Sequence, residues 1–233
     1  MAISRVQGVG NNLGLNSFTV GLSPTTPGNA IVVAFDIENH IGADLSVTIT
    51  DNDGGGGGNT YTRITASKGQ SNDSGDFSQS EIWYAQNIIG GGSSVTLTIT
   101  INGGTGTINN CFYFVAEYSG LATSGVLDDA GATSQDGSGP PFTTASVSAT
   151  GTSDLVLTVC GSGNGWPTSV NSPFTVVTAA GYGSFRPFAT LITSGPGSYS
   201  ATYPTGFSHS STSIAAFTAP SATNTKGSAF LVI

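Results

Sequence analysis

Charged side chains are scarce in this sequence: Asp, Glu, Lys and Arg make up only 8% of its 233 residues, and the net charge is −8. The five basic residues are spread along the whole chain: Arg5, Arg63, Lys68, Arg186 and Lys226. Binding to a phosphate backbone or to an anionic membrane needs clustered Lys and Arg, because each contact neutralises a separate negative charge. We therefore expect neither nucleic acid nor membrane among the partners of this protein.

Long apolar segments are also missing. The most apolar run, residues 30–35, has the length of a strand and is far shorter than the ~20 residues that a membrane helix needs. The N-terminal sequence, residues 1–8, lacks the charged start and the apolar core of a secretory signal. The sequence thus predicts a protein that is kept in the cytoplasm or leaves by another route, such as release by lysis within a virus particle.

Cysteine is nearly absent, since Cys111 and Cys160 are the only two. Both lie inside apolar, strand-like sequences, which favours small buried thiols. A disulfide between adjacent strands is the alternative that the sequence leaves open.

Glycine, in contrast, is abundant: 34 Gly and 10 Pro occur without a triplet period, which indicates many turns between short strands. Apolar and polar residues alternate with a period of two, and no helical period is found. The predicted strands are residues 3–7, 16–21, 30–38, 45–50, 60–66, 80–86, 94–101, 111–119, 142–149, 154–160, 174–178, 185–193, 199–203 and 211–217. This pattern predicts an all-β fold, an antiparallel β-sandwich of the jelly-roll type.

Two polar, glycine-rich segments, residues 51–59 and 128–139, are predicted to be mobile loops. The second lies in the long stretch 120–141, which we interpret as a crossover within one domain, because the six strands after it would make a poor core by themselves. The sequence therefore predicts one β-sandwich domain, residues 1–217, followed by a linker and a C-terminal arm, residues 218–233.

The arm carries an apolar cluster beyond a polar connector. Its apolar residues are Ala229, Phe230, Leu231, Val232 and Ile233. Burying the four large side chains would contribute about 6–12 kcal/mol, and ordering the connector costs about 1–2 kcal/mol per residue. We expect the arm to dock as an added strand on the sheet edge of a neighbouring subunit. A last edge strand of the same domain is the alternative.

Catalytic and metal-binding patterns find little support. The two histidines, His40 and His209, lie in separate polar segments, and no Gly-x-Ser-x-Gly motif occurs. The segment Asp51, Asn52, Asp53 resembles the start of a calcium loop, but glycines follow where further ligands are needed, and a hairpin turn explains the same residues. We predict no enzymatic activity, no cofactor and no bound metal.

One acidic residue is predicted to be partly buried. Glu117 shares a strand face with Tyr113 and Val115. A buried carboxylate needs a partner, and Arg63 or Arg186 could supply it.

Three aromatic residues, Trp83, Tyr84 and Trp166, are candidates for a sugar-stacking platform. Trp83 and Tyr84 are adjacent on one strand and point to opposite faces, so at least one belongs to the core. Trp166 lies in a loop between glycine and proline and is the more exposed candidate for a glycan or interface contact. Packing in the core or at an interface is the alternative for all three.

Four short sequences occur in a suggestive order: Asp-Asn…Gly-Asn-Thr-Tyr-Thr (51–62), Ile-Trp-Tyr-Ala-Gln-Asn (82–87), Glu-Tyr-Ser-Gly (117–120) and Gly-Ser-Tyr-Ser-Ala-Thr (197–202). Together they resemble a β-sandwich module that recurs in phage virion proteins and in bacterial surface proteins. The resemblance covers about residues 3–217 and leaves the arm outside. It implies a structural or display role and transfers no catalytic residues, and the glycine insertion after Asp53 departs from it.

These observations lead to a functional hypothesis. We expect a non-enzymatic structural protein of a virus particle, a phage capsid decoration or cement protein on the outer capsid surface. Its partners would be the major capsid protein and further copies of itself, joined by strand exchange into a homo-oligomer. The alternatives are a glycan-binding adhesin or tail-fibre module, extracellular or on a cell surface, and a subunit of an extracellular filament joined by donated strands.

Overall fold

Nearly all regular structure in this protein is β. The computed structural model describes residues 2–39, 45–53, 58–73, 75–92, 94–103, 108–137, 139–162, 165–206 and 209–220. These contain 18 strands and two single-turn 3₁₀ helices, Thr65–Ser67 and Ala180–Tyr182. The expectation of an all-β antiparallel sandwich is confirmed.

The strands fall into two consecutive groups. The first half of the chain contains β1 (Ser4–Asn12), β2 (Ser17–Leu22), β3 (Ala30–Asn39), β4 (Ser46–Asp51), β5 (Thr62–Arg63), β6 (Gly69–Asp73), β7 (Asp76–Ala85), β8 (Val95–Asn102) and β9 (Ile108–Ser119). The second half contains β10 (Leu127–Gln135), β11 (Phe142–Thr143), β12 (Val147–Ala149), β13 (Asp154–Gly161), β14 (Thr175–Val176), β15 (Phe188–Ile192), β16 (Gly197–Tyr199), β17 (Thr202–Tyr203) and β18 (Ser210–Thr218).

The first half forms two stacked sheets. One has the order β1-β9-β3-β7-β5, with β6 also paired to β7, and the other has the order β2-β8-β4. Strands of the smaller sheet alternate between buried and exposed residues, because only one of its faces is covered. β3 and β9 contain continuous apolar runs, residues 30–35 and 111–116, and both faces of these runs are buried. Between the two sheets lies an apolar cluster that includes Phe18, Val33, Phe35 and Leu97.

The second half repeats this strand order. Its main sheet runs β10-β18-β13-β15-β14, so that the last strand of the half again lies between the first two strands of that sheet in chain order. Its covering layer consists of two short ribbons, β11 with β17 and β12 with β16. Phe142, Val156, Ile214 and Tyr203 belong to the cluster between these layers.

The main sheets of the two halves pack face to face. Val32, Ala34 and Phe114 from the first half share one apolar cluster with Leu157 and Ala215 from the second. Toward one end of this interface the contacts become polar, and they are made by four serines. Ser78 and Ser211 are hydrogen-bonded through their hydroxyl oxygens at 2.7 Å, and Ser213 Oγ donates to Ser80 Oγ at 2.7 Å. The molecule is therefore a stack of β-layers with an apolar core inside each half and a third core between the halves.

Several predicted details differ from the structure. Residues 127–135, predicted to be part of a loop, form β10, a largely polar strand that is held by its pairing with β18. β6 was also not predicted, because its sequence Gly-Gln-Ser-Asn-Asp has no apolar alternation. β18 includes Thr218, one residue beyond the predicted domain boundary. The jelly-roll assignment stays a prediction, which the alternation of β1 to β4 between two sheets favours.

Candidate functional site

The predicted arm residues Ala229, Phe230, Leu231, Val232 and Ile233 lie outside the described part of the chain. The structure does show where the preceding segment departs. Thr218 pairs with Asp154, and its carbonyl oxygen accepts a hydrogen bond from Ala122 N at 3.0 Å. Residues beyond Pro220 therefore continue from a strand inside the main sheet of the second half.

Trp166 is not an exposed platform. Its ring is half-buried and lies 4.8 Å from the ring of Phe112 and 5.0 Å from that of Phe185, measured between centroids. The loop is held down by a hydrogen bond from Arg186 N to the carbonyl oxygen of Pro167 at 2.6 Å. Trp166 is thus partly exposed and packs against the core between the halves, and a glycan or interface contact through it stays a prediction.

Trp83 and Tyr84 are packed on opposite faces of β7, as predicted from their adjacent positions. Trp83 packs against the core of the first half, and its indole N–H donates to Glu81 Oε2 at 3.1 Å. Tyr84 meets Phe217 edge to face, with 5.9 Å between ring centroids. Neither ring is presented as a flat exposed surface.

A groove runs along the seam where the edge of one main sheet meets the edge of the other. We call it the edge groove. It is lined by β1 on one side, by the segment 175–180 on the other, and by Phe114 and Tyr118 at its floor. Two cavities of about 280 Å³ and 240 Å³ lie along it, and Arg5 lines both.

The walls of the edge groove mix polar and apolar groups. Val9 is 37% exposed and Ile192 is 43% exposed, one in each cavity. The Arg5 guanidinium lies 5.9 Å from the ring centroid of Phe114, a cation–π arrangement. Among the described residues β1 pairs only with β9, so half of its backbone N–H and C=O groups point away from every described strand.

Glycine explains how β1 comes so close to the second half. A Cβ at Gly10 would lie 2.0 Å from the Tyr182 hydroxyl oxygen, and one at Gly181 would lie 1.7 Å from Asn11 Oδ1. Tyr182 closes this end of the groove by donating to the Tyr113 carbonyl oxygen at 2.6 Å. The other end, beside Leu155 and Ile192, is the end at which the chain leaves β18.

The carboxylate of Glu117 holds β1 and the 23–29 turn together. Its oxygens accept from Gln7 Nε2 at 2.7 Å, Thr26 N at 2.8 Å and Asn29 Nδ2 at 2.6 Å. The expected partner was Arg63 or Arg186, and this was wrong. Arg63 instead forms an ion pair with Glu81 at 2.9 Å, and neutral donors satisfy Glu117.

The flanks of the loop after β4 are held by its carboxylates, and the expectation that residues 51–59 are mobile stays a prediction. Asp51 accepts from Asn59 N at 2.9 Å and from the Tyr61 hydroxyl at 2.7 Å. Asp53 accepts from Gly90 N at 2.9 Å and Asn59 Nδ2 at 3.0 Å. These carboxylates thus fix a turn, and the glycines 54–57 lie outside the described residues.

Beside this turn is a small polar pocket of about 340 Å³. It is lined by Gly58, Asn59, Thr60, Thr62, Gln86, Asn87 and Ile89. Asn87 has a positive φ of 51°, which is uncommon outside glycine, and Ile89 is 48% exposed. Two of the sequences that carry the resemblance, 58–62 and 82–87, meet here.

A buried acidic pair occupies the polar end of the interface between the halves. Asp36 and Glu38 are adjacent on the inner face of β3 and only 1% and 4% exposed. Burial, and secondarily Glu38, raises the pKa of Asp36 well above the usual Asp range. Two polar groups lower this pKa in part. Ser78 Oγ donates to Asp36 Oδ1 at 3.5 Å, and the Trp166 indole N–H lies close to the carboxyl group without the geometry of a hydrogen bond.

The remaining candidate groups are isolated. His209 is 1% exposed, and its ring makes no hydrogen bond within the described residues; His40 lies outside them. Cys111 and Cys160 are free, fully buried thiols whose pKa is raised by burial. Over the described ranges, no three His, Cys, Asp or Glu side chains converge on a point that could hold a metal ion.

Comparison with family models, curated proteins and solved structures finds no match to this chain. In the ranges that the structure describes, no helix has the length and apolar character that crossing a membrane requires.

The sequence reasoning missed the edge groove. Its only sequence signal is the alternation Gly8-Val9-Gly10 at an edge strand, and such a pattern also occurs in closed sheets. The second wall, residues 175–180, is far away in sequence, so only the packing of the two halves brings the walls together.

Proposed function

We propose that this chain is a non-enzymatic structural protein of a virus particle, a phage capsid decoration or cement protein that stabilises a shell through subunit contacts and strand exchange. The observation that carries the proposal is the edge of β1, which no described strand covers and which lies beside a groove with exposed apolar residues. An exposed edge strand is a template for pairing with another chain, and soluble proteins usually protect it with charge, proline or a covering segment. Here the edge is accompanied by a single charge, Arg5.

The composition of the surface agrees with this role. A shell protein contacts its neighbours over large areas, and each charge that is buried at such an interface must be paired or desolvated at a cost. A chain with only 8% charged residues avoids most of this cost. In this proposal the partners are the major capsid protein and further copies of the chain, on the outer surface of the particle.

The experiment is a truncation that the structure now places accurately. Because Thr218 belongs to β18, the cut should follow Pro220 and remove residues 221–233 only. We expect the truncated chain to keep its far-UV circular dichroism and melting temperature but to lose self-assembly in light scattering and binding to particles stripped of the protein. An unfolded truncated chain, together with a monomeric full chain, would show that the segment is the last strand of its own domain.

A second candidate function is glycan binding, and the polar pocket favours it. Amide and hydroxyl groups from Asn87, Gln86 and Thr60, next to the exposed Ile89, offer neutral hydrogen-bonding groups beside an apolar patch. The same combination recognises the hydroxyls and the C–H faces of sugars. Binding on a glycan array that Asn87→Ala abolishes and Trp166→Ala leaves intact would support this candidate; an array without signal for the wild type would reject it.

A further inference from the structure

The two seams of the molecule are built differently. On the β10 side, the turn 65–67 and strand β6 lie against β10 and β18. The fit there is tight, since a Cβ at Gly69 would lie 2.6 Å from the Thr212 carbonyl oxygen and 3.1 Å from that of Thr133. An additional short strand therefore covers the seam on this side.

On the β1 side no such strand is present in the described residues. The second half has a 3₁₀ turn, Ala180–Tyr182, at the position in strand order that Thr65–Ser67 occupies in the first half. Residues 183–187 then lead directly into β15, and they form no strand that corresponds to β6. The space that remains is the edge groove, with its two cavities on either side of Arg5. The groove follows β1 from Arg5 to Gly10, about 17–20 Å at the rise of an extended strand.

We propose that residues 229–233 of a neighbouring copy dock as a strand in the edge groove, against β1. This rests on the proposed function and names the surface that receives the arm. The segment fits the groove in length, because five residues of strand span about 17 Å. Its large side chains are all apolar, and Val9 and Ile192 are exposed apolar residues along the groove that could pack against them.

The direction of the chain favours a neighbouring copy over the same copy. The chain leaves β18 at the Arg5 end of the groove, and an arm of the same copy that enters the groove at that end runs parallel to β1. Every strand pair in the described part of the molecule is antiparallel. A neighbour related by a twofold axis supplies its arm from the opposite side and pairs antiparallel to β1.

Disulfide trapping between two single variants tests the proposal. Val9→Cys and Phe230→Cys are prepared separately as full chains, mixed, oxidised with copper phenanthroline and resolved on a non-reducing gel. The native thiols do not interfere, because Cys111 and Cys160 are both fully buried. Ile89→Cys, also exposed but in the polar pocket on another face, replaces Val9→Cys in the matched control.

We expect a covalent heterodimer with Val9→Cys, at a yield about tenfold or more above the Ile89→Cys control, because docking raises the effective concentration of the two thiols. Ile192→Cys should behave like Val9→Cys. Equal yields for Val9→Cys and Ile89→Cys would overturn the proposal. A second outcome would also overturn it. In that outcome, a chain with both Val9→Cys and Phe230→Cys crosslinks only within the monomer, and the mixed single variants do not react.

The truncation separates this inference from the function on which it rests. If removal of residues 221–233 abolishes assembly but no crosslink forms at Val9 or Ile192, the arm docks elsewhere and only the groove assignment fails. If the full chain and the truncated chain are both monomeric and neither binds particles, strand exchange itself fails.

Discussion

The two halves of this protein share one strand order but differ in their outer layers. In the first half, β2, β8 and β4 form a regular three-stranded sheet, and the residues along each strand alternate between buried and exposed. In the second half, the corresponding layer consists of two separate two-stranded ribbons. The strand β11 of one ribbon has two residues, and β12 of the other has three. The segment that takes the place of β4 contains Pro167 and Pro173, and it touches the ribbons through one backbone hydrogen bond, from Asn171 N to the Thr202 carbonyl oxygen at 2.9 Å.

The difference shows which layer defines the fold. Proline cannot donate to a strand ladder, so the outer layer of the second half loses its third strand. The main sheet nevertheless keeps its order, with β18 and β13 buried throughout. Each outer layer can therefore vary, whereas the two central sheets, which cover each other, cannot.

The largest expected effect comes from opening the core that the halves share. Phe112 contacts the rings of Trp166, Tyr182 and Phe185 across the interface. Phe112→Ala should lower the free energy of unfolding by about 3–5 kcal/mol. Urea unfolding followed by tryptophan fluorescence measures this change, and we expect a single transition, because both halves depend on the same core.

Phe112→Leu is the control for this prediction, since it keeps most of the volume and should cost less than about 1.5 kcal/mol. Two separate transitions, only one of them shifted by Phe112→Ala, would show that the halves are independent units.

The second prediction concerns the charge that the first half buries against the second. Asp36 lies over Gly161, where a Cβ would be 2.1 Å from Asp36 Oδ1. Because burial raises the pKa of Asp36 in the folded state, the unfolded chain loses its proton first as the pH rises. The contribution of Asp36 to stability is therefore highest below about pH 4, the usual Asp pKa, and falls as the pH rises toward the folded-state pKa.

Asp36→Asn should remove this dependence. We expect the variant to be about 2 kcal/mol more stable than the wild type at pH 8, since a buried ion costs several kcal/mol and an amide does not carry that cost. Thermal unfolding at pH 4 and pH 8 provides the measurement, with Asp136→Asn, at an exposed carboxylate, as the control. A wild type that gains stability from pH 4 to pH 8 relative to Asp36→Asn would contradict the prediction.

A third prediction addresses the broken outer layer of the second half. The Tyr203 hydroxyl and Thr158 Oγ1 are hydrogen-bonded at 2.6 Å, and both are fully buried. Tyr203→Phe should cost about 1–2 kcal/mol, because Thr158 loses a partner that water cannot replace. Tyr199→Phe removes a half-exposed bond to the Gly195 carbonyl oxygen and should change stability by less than about 0.5 kcal/mol. Equal costs in chemical denaturation would mean that the buried bond does not hold the ribbons.

The smallest effect is expected from a pair of strand glycines, one in each half. A Cβ at Gly21 in β2 would meet no atom within 4 Å, so Gly21→Ala should stabilise the protein by about 0.4–1 kcal/mol through the unfolded chain. A Cβ at Gly131 in β10 would lie 2.6 Å from the Cβ of Ala145. Gly131→Ala should therefore destabilise it. Melting temperatures that shift in the same direction for both variants would refute this contrast.

Sequence reasoning reached the fold class because the period-two alternation is strong where one sheet face is covered, as in β2, β4 and β8. It also placed β3, β9, β13 and β18 within a few residues. It missed β10 because Leu-Asp-Asp-Ala-Gly-Ala-Thr-Ser-Gln carries almost no apolar signal, and only the pairing with β18 makes it a strand. The repeated strand order was hidden as well, because it lies in the connectivity and not in matching residues.

Prediction of the site was less complete. Trp166 was identified as chemically distinctive, but a side chain in a loop can turn inward, and its surroundings come from Phe112 and Phe185 at distant positions. The partners of Glu117 were wrong because three amide groups from two separate segments, β1 and the 23–29 turn, satisfy its carboxylate in place of an arginine. Contacts between residues that are far apart in the sequence produce no local sequence pattern from which they could be predicted.

The central position of β18 has a mechanical consequence. This strand is hydrogen-bonded to β10 on one side and to β13 on the other, and the chain passes from it directly toward the segment after Pro220. Tension transmitted through that segment would pull along β18 and load the hydrogen bonds to β10 and to β13 in shear at the same time. An edge strand has only one such ladder and would resist the same force less. In the shell that we propose, swelling or internal pressure would therefore load a strand that is paired on both sides, and pulling it free would require both of its ladders to break.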